Sequence, residues 1–142
     1  MAFTRRTRQK IRRRLLVVAG LFLLWQWHQN FAPISFKFPV HGQSSWYSRY
    51  DPGINRRTAN NEIFNDRALT CAMWGVPFHT QLRVTNKTNG KSVIVRVNDR
   101  GPHRRFVREG RVIDLTKAAF NAIASNRNGL IDVKVEKLEG RI

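Results

Sequence analysis

The sequence has almost no cysteine, and it lacks the motifs of metal and phosphate sites. Cys71 is the single cysteine among 142 residues, so no disulfide can form within the chain. No cluster of histidine and cysteine has metal-ligand spacing, and no glycine-rich loop has the pattern that holds phosphates. We therefore expect no metal and no cofactor. Cys71 lies in an apolar run and is expected to pack as a small hydrophobe.

Acidic residues are also scarce, because 26 lysines and arginines stand against 9 aspartates and glutamates, for a formal net charge of +17. The imbalance is greatest at the start, where residues 1–14 include seven basic residues and no acid. A surplus of this size favours a polyanionic partner, which can be nucleic acid, anionic lipid or an acidic cell-wall polymer. Charge alone does not choose among them.

Long hydrophobic runs are missing, and the main apolar run is short. Residues 15–27 are thirteen uncharged residues directly after the basic start, which is the pattern of an export signal. A membrane-spanning helix needs about 20 residues, so residues 1–27 fit both a cleaved signal peptide and a retained signal anchor. We favour the anchor, with residues 15–27 at the membrane, because no clear cleavage site follows. Export to the periplasm or cell envelope argues against nucleic acid as the partner.

The rest of the chain divides into a linker, a domain and a tail. Residues 28–41 contain two prolines and no helical period, which predicts a linker. The domain is expected over 42–138 and the tail over 139–142. Thr116 is expected to cap the one short helix, over 116–124. Alternating patterns predict strands at 43–48, 82–85, 91–98, 111–115 and 130–138. Many short strands predict a small β-barrel, whose closure removes exposed edges.

Asp99 is the acid best placed for chemistry. It lies at the end of a predicted strand, just before Gly101-Pro102, and strand ends are where a rigid scaffold presents functional groups. A plain turn is the alternative, because an aspartate two residues before a glycine often caps one. Glu62 is the second candidate, with Asp66 behind it. Asp51 is interpreted as a turn former, Glu109 as a charge-balancing group and Asp114 as a buried structural acceptor. Asp132, Glu136 and Glu139 are interpreted as solvent-facing charges.

Aromatic residues in or near the predicted loops suit a carbohydrate ligand. Exposed rings beside polar side chains can contact sugars, whose C–H faces are apolar and whose edges carry hydroxyls. Core packing is an equally good account of Trp46, Phe64 and Phe78. The rings concerned are Trp46, Tyr47, Tyr50, Phe64, Trp74, Phe78 and Phe106.

Ordered blocks of sequence carry a family pattern. They occupy residues 42–47, 57–64, 68–72, 77–80, 83–86, 89–90, 95–102 and 110–115. Through these blocks the segment 42–138 resembles the rare lipoprotein A (RlpA-like) family. The resemblance implies a mainly β fold, the six-stranded double-psi β-barrel that barwin-like proteins and expansins share.

The resemblance also implies an exported lytic transglycosylase that cuts peptidoglycan glycan strands, with a preference in the family for strands without stem peptides. Such an enzyme cleaves between MurNAc and GlcNAc, and the sugar's own 6-hydroxyl is the nucleophile, which leaves a 1,6-anhydro end. Asp99 matches the family's strand-end acid and is expected to be the acid/base, with Glu62 assisting. The substrate-binding residues that we predict are Trp46, Tyr47, Asn60, Arg100 and His103. Protein partners at the site of cell division are also compatible with this predicted function.

Three features depart from the family pattern. Met73 stands where the family has a site histidine, and methionine can neither transfer a proton nor donate a hydrogen bond. His79 and His103 are the candidates to replace it. Residues 103–109 are expected to form a long basic loop, and no lipobox cysteine follows the apolar run. Two alternatives therefore stay open, a non-catalytic, expansin-like glycan-binding barrel and a basic scaffold for an anionic polymer.

Overall fold

The computed structural model describes residues 5–138, and the predicted tail at 139–142 lies outside them. The chain divides after Pro33 into two compact units. The first contains helix α1, Arg5–Phe31, in which large apolar side chains between Leu15 and Trp27 are exposed. Within the described residues, no helix combines the length and the hydropathy that crossing a bilayer requires.

The predicted linker at 28–41 is shorter in the structure, because helix α1 continues to Phe31 and strand β1 begins at Val40. The irregular connection is therefore limited to residues 32–39. Its two prolines, Pro33 and Pro39, explain these limits. A proline disfavours helical conformation in the residue before it, so α1 ends ahead of Pro33.

The second unit is a closed barrel of six strands, and this confirms the predicted double-psi β-barrel. Around the barrel the strand order is β1-β5-β2-β4-β3-β6. The pairs β1–β5 and β2–β4 are parallel, and the other four are antiparallel. The strands are β1 Val40–Tyr47, β2 Thr70–Ala72, β3 Gln81–Asn86, β4 Ser92–Asp99, β5 Arg111–Thr116 and β6 Ile131–Lys137.

Alternating side chains fill the barrel interior. On β4, the valines at 93, 95 and 97 are buried, whereas Ile94 between them is exposed. This alternation confirms the strand predicted over 91–98. On β6, the apolar side chains of Ile131, Val133 and Val135 are buried in the same way. Burial of these alternate positions supplies most of the apolar area that stabilises a closed sheet.

The predicted short helix is present in the domain, and the structure adds a second short helix and a 3-10 turn. The structure has α2, Arg104–Arg108, and α3, Lys117–Ile123, followed by a 3-10 turn at Asn126–Asn128. Helix α2 lies inside the segment expected to be a basic loop. It can form because the Nδ1 atom of His103 accepts from the N–H of Arg105 and caps its first turn. Thr116 occupies the cap position of α3, but its hydroxyl instead donates to the carbonyl of Ala68 at 2.6 Å.

Strand β2 has only three residues, yet it positions two acids. It lies between β4 and β5, and Cys71 and Ala72 pair with both neighbouring strands. Ala72 pairs with Asp99 on β4 and with Asp114 on β5. The two carboxylate-bearing residues therefore stand at the same level of the barrel, separated by one strand.

Replacing Ile113 by alanine is expected to lower the free energy of unfolding by about 3 kcal/mol, because the side chain is fully buried and its loss leaves a cavity. The matched control is Ile94→Ala, where the side chain is 47% exposed. Its cost should stay below about 0.5 kcal/mol. Denaturant unfolding measures both, and equal losses would contradict the assigned faces of the strands.

Candidate active site

Strand β4 ends in Asp99, whose carboxylate is held from one side. Its Oδ1 accepts hydrogen bonds from the N–H of Ala59 at 2.9 Å and from the N–H of Arg100 at 2.7 Å. Among the residues that the structure describes, none hydrogen-bonds the other oxygen, Oδ2. The side chain is half-buried at the barrel rim. The carboxyl group is thus fixed in orientation while one oxygen is left for a ligand.

The Ala59 donor belongs to a tight loop that Asn60 organises. The Oδ1 atom of Asn60 accepts from the Thr58 hydroxyl at 2.6 Å and from the N–H of Glu62 at 3.2 Å. Its Nδ2 donates to Glu62 Oε1 at 2.7 Å, and its backbone N–H donates to the carbonyl of Asn98 at 3.2 Å. The side chain of Asn60, a predicted substrate-binding residue, therefore holds the loop through both of its polar atoms.

Glu62 is clamped by four hydrogen bonds from side chains. Arg96 donates two of them, from Nη1 to Oε1 at 2.7 Å and from Nη2 to Oε2 at 2.9 Å. Asn98 and Asn60 donate one each, at 3.0 and 2.7 Å. Arg96 above all, followed by Asn98, lowers the pKa of Glu62 to about 2. At this pKa Glu62 is ionised at neutral pH and does not itself supply a proton, and its predicted role in assisting Asp99 stays a prediction. Glu62 anchors the loop to β4.

Asp114 is the acid that faces Asp99 across β2. Its Oδ1 accepts a short hydrogen bond from the Ser45 hydroxyl, and Arg111 Nη1 donates to the same hydroxyl at 3.2 Å. Burial raises the pKa of Asp114, and the charge of Asp99 raises it further, against the opposing effects of Ser45 and Arg111. Sequence reasoning interpreted Asp114 only as a buried structural acceptor.

Gly101 allows the chain after Asp99 to fold closely over these groups. A Cβ atom at this position would lie 3.0 Å from the Cβ of Ala72 and 3.3 Å from Asp114 Oδ2. Close packing against Ala72 and Asp114 therefore favours glycine at this position, in addition to the turn that the sequence predicted. Elsewhere in the described part of the chain, as here, no three His, Cys, Asp or Glu side chains are grouped to hold a metal ion.

A family model described as lytic transglycolase matches residues 40–135, which include β1, Asp99 and most of β6. The chain belongs to this family. The probable endolytic peptidoglycan transglycosylase RlpA of Synechocystis sp. is 48% identical over 96 residues, which are 67% of this chain and 28% of that protein. The endolytic peptidoglycan transglycosylase RlpA of Rickettsia bellii is 41% identical over 102 residues, 71% of this chain and 43% of that protein.

This member of the lytic transglycolase family thus spans less than half the length of these curated relatives. Among solved structures, the Streptomyces papain inhibitor matches with a TM-score of 0.55 and 21% identity. The match covers 75% of this chain and 99% of that one, and it supports the fold alone.

Tyr47, which the sequence predicts to bind substrate, is buried. Its ring stacks on Phe64, with centroids 4.8 Å apart and an interplanar angle of 18°. Burial raises the pKa of the Tyr47 hydroxyl, and the negative charge of Asp99 raises it further. In the described residues this hydroxyl has no hydrogen-bond partner. Tyr47 therefore packs in a small buried cluster with Phe64 and Ala72, and it does not present a ring face to solvent.

The three other predicted binding residues differ in how close they lie to Asp99. Trp46 is half-buried, and its Nε1 donates to the carbonyl of Asn126 at 3.1 Å, so the structure does not bring it to Asp99. His103 is exposed at the start of α2. Arg100 is next to Asp99, half-buried, with its guanidinium 3.7 Å from the ring centre of Phe78. Arg100 therefore remains the binding candidate nearest the acid.

The position of the family histidine is part of the core in this chain. Met73 is fully buried, and its backbone N–H donates to the carbonyl of Asp99 at 3.2 Å. The proposed substitutes do not reach the acid. His79 Nδ1 lies 3.3 Å from Arg96 Nη1, and, among the described residues, neither His79 nor His103 hydrogen-bonds Asp99.

The Glu62 clamp predicts a pH-dependent stability. Its pKa of about 2 in the folded chain lies below the usual unfolded value near about 4.3. The clamp therefore makes its full contribution to the free energy of unfolding above pH ~5. This contribution falls as the pH drops toward about 2. With about a third of the side chain exposed, solvent screening limits the effect, and Glu62→Gln should cost roughly 1–2 kcal/mol at pH 7.

Unfolding free energies of the parent and Glu62→Gln should converge as the pH falls. The control is Glu109→Gln, which removes an exposed glutamate paired with Arg105 at 3.1 Å. Its difference from the parent should stay below about 0.5 kcal/mol throughout. A difference for Glu62→Gln that does not shrink in acid would contradict the clamp.

Proposed function

We propose that this chain is an endolytic lytic transglycosylase that cuts peptidoglycan glycan strands, with Asp99 as its acid/base. The observation that carries the proposal is the asymmetric environment of Asp99. Backbone donors hold Oδ1, while no described residue hydrogen-bonds Oδ2. The family membership and the relatives named as peptidoglycan transglycosylases support the same reaction.

One carboxyl group can serve both halves of this reaction. Protonated Asp99 gives its proton to the glycosidic oxygen as the bond from C1 of MurNAc to GlcNAc breaks. The 6-hydroxyl of the same MurNAc then bonds to C1, and its proton passes to the Asp99 carboxylate. A 1,6-anhydro end forms, the starting protonation is restored, and no water is consumed. A hydrolase instead needs two carboxyl groups with a fixed separation and a water molecule.

The neighbouring acids take supporting parts in this proposal. Glu62 holds the loop whose Ala59 N–H orients Asp99, so it is a positioning residue. Asp114, whose pKa burial raises, lies opposite Asp99 across β2 and is held by Ser45. Arg100 is the residue placed to contact the glycan beside the reacting bond.

We also propose that residues 1–27 direct export, so that the barrel works in the periplasm or cell envelope. The basic start and the apolar run that follows it support an export signal. A retained membrane anchor and division-site partners remain predictions of the sequence.

A non-catalytic glycan-binding barrel is the second candidate function. Met73 favours it, because the position that carries a histidine in the family here provides only an apolar side chain in the core. The two functions differ in whether new chain ends appear, not in whether the strand binds.

Asp99→Asn is expected to lower the formation of 1,6-anhydro-MurNAc ends by about 100-fold or more, because the proton donor is lost. The asparagine can still accept from Ala59 and Arg100, so the fold should be kept. Mass spectrometry of purified glycan strands after incubation with the full chain measures the ends. Asp132→Asn, an exposed change on β6, is the matched control and should retain full activity.

Glycan binding by the parent chain without new ends would overturn the transglycosylase and favour the binding barrel. Equal activity of the parent and Asp99→Asn would assign the chemistry to another group.

A further inference from the structure

A cationic cavity of about 290 Å³ lies beside the barrel, lined by residues that the proposed reaction does not use. Its charged groups are three cations, Arg49, Arg67 and Lys117, and one acid, Asp66. Tyr50 adds a ring that is 76% exposed. Arg49 donates to the Tyr50 hydroxyl at 2.6 Å, and its guanidinium lies 4.8 Å from the ring centre. The cavity therefore combines a net positive charge with an aromatic surface.

One loop joins this cavity to Asp99. The segment after β1 starts at the cavity with Arg49, reaches Asp99 through Ala59, and returns to the cavity at Asp66. Hydrogen bonds to Asp66 hold both ends of this loop at the cavity. The Ser48 hydroxyl donates to Asp66 Oδ2 at 3.2 Å, and the N–H of Ala118 donates to the carbonyl of Asp66 at 3.0 Å.

The distance between the cavity and the acidic site can be estimated along strand β5, which carries Asp114 and leads into Lys117. Lys117 follows Asp114 by three residues, which corresponds to about 10 Å along an extended chain. A strand of a few sugars that has its reacting bond at Asp99 can therefore reach the cavity as well. A sugar there would meet the Tyr50 ring and the surrounding cations.

We propose that this cavity is a glycan subsite that binds a sugar bearing a free carboxylate, separate from the bond that is cut. The inference rests on the proposed function, because the muramic sugars of peptidoglycan carry such a group on their lactyl side chain. Cations pair with a carboxylate through charge-assisted hydrogen bonds, and an exposed aromatic ring suits the apolar face of a sugar.

The test measures strand binding with and without the carboxylates. The probes are glycan strands free of stem peptides, either native or with their lactyl carboxylates reduced to alcohols. The protein is the full chain carrying Asp99→Asn, which prevents cleavage. It is compared with the same chain carrying Arg49→Gln and Lys117→Gln. The matched control carries Lys87→Gln and Lys91→Gln, two exposed charges outside the cavity.

Isothermal titration should give a Kd that reduction of the carboxylates weakens about three- to tenfold for the parent and for the control. The cavity variant should already bind native strands about three- to tenfold more weakly, and reduction should then change its Kd little. Equal sensitivity to reduction in all three proteins would overturn the subsite, as would an absence of binding to native strands. The subsite stands without the proposed reaction if this pattern holds while the chain with Asp99 makes no new ends.

Discussion

A single acceptor atom, Asp99 Oδ1, joins the rim of the barrel to the loop that surrounds the site. The N–H of Arg100 fixes the carboxylate on its own strand, and the N–H of Ala59 brings in a segment forty residues earlier in the chain. The second bond therefore links the carboxylate directly to the loop. Glu62 lies on the same loop, where Arg96 and Asn98 hold it to β4, and both ends of the loop lie at the cationic cavity.

The site separates its carboxylates by environment. Glu62 is surrounded by donors, which keep its pKa at about 2 and make it a structural anion. Asp114 is partly withdrawn from water, which raises its pKa. Asp99 differs from both because only one of its oxygens is engaged by described residues. The three acids therefore have three different environments. Asp99 is the one whose second carboxylate oxygen is available to exchange a proton with a ligand.

Local patterns predicted the strands and the position of Asp99, because alternation and the Gly101-Pro102 break are encoded in adjacent residues. They did not predict β2 as a strand, since three residues are too few to show a period. The facing of Asp99 and Asp114 follows from pairing across that strand, which no local pattern contains.

Long-range partners also explain what local patterns could not show about individual site residues. The ion pair of Arg96 with Glu62 joins residues that are 34 apart in sequence. The burial of Tyr47 was missed because the pairing of β1 with β5 shifts register after Gln43, which breaks simple alternation. The double-psi barrel itself was predicted from the family blocks rather than from periodicity.

The most direct test of the account is cleavage of glycan strands in water labelled with heavy oxygen, followed by mass spectrometry of the new ends. If Asp99 directs the sugar's own 6-hydroxyl to the anomeric carbon, the ends will be 1,6-anhydro sugars that contain no label. Ends that carry heavy oxygen would show that water is the nucleophile, and the single-carboxyl mechanism would then be wrong.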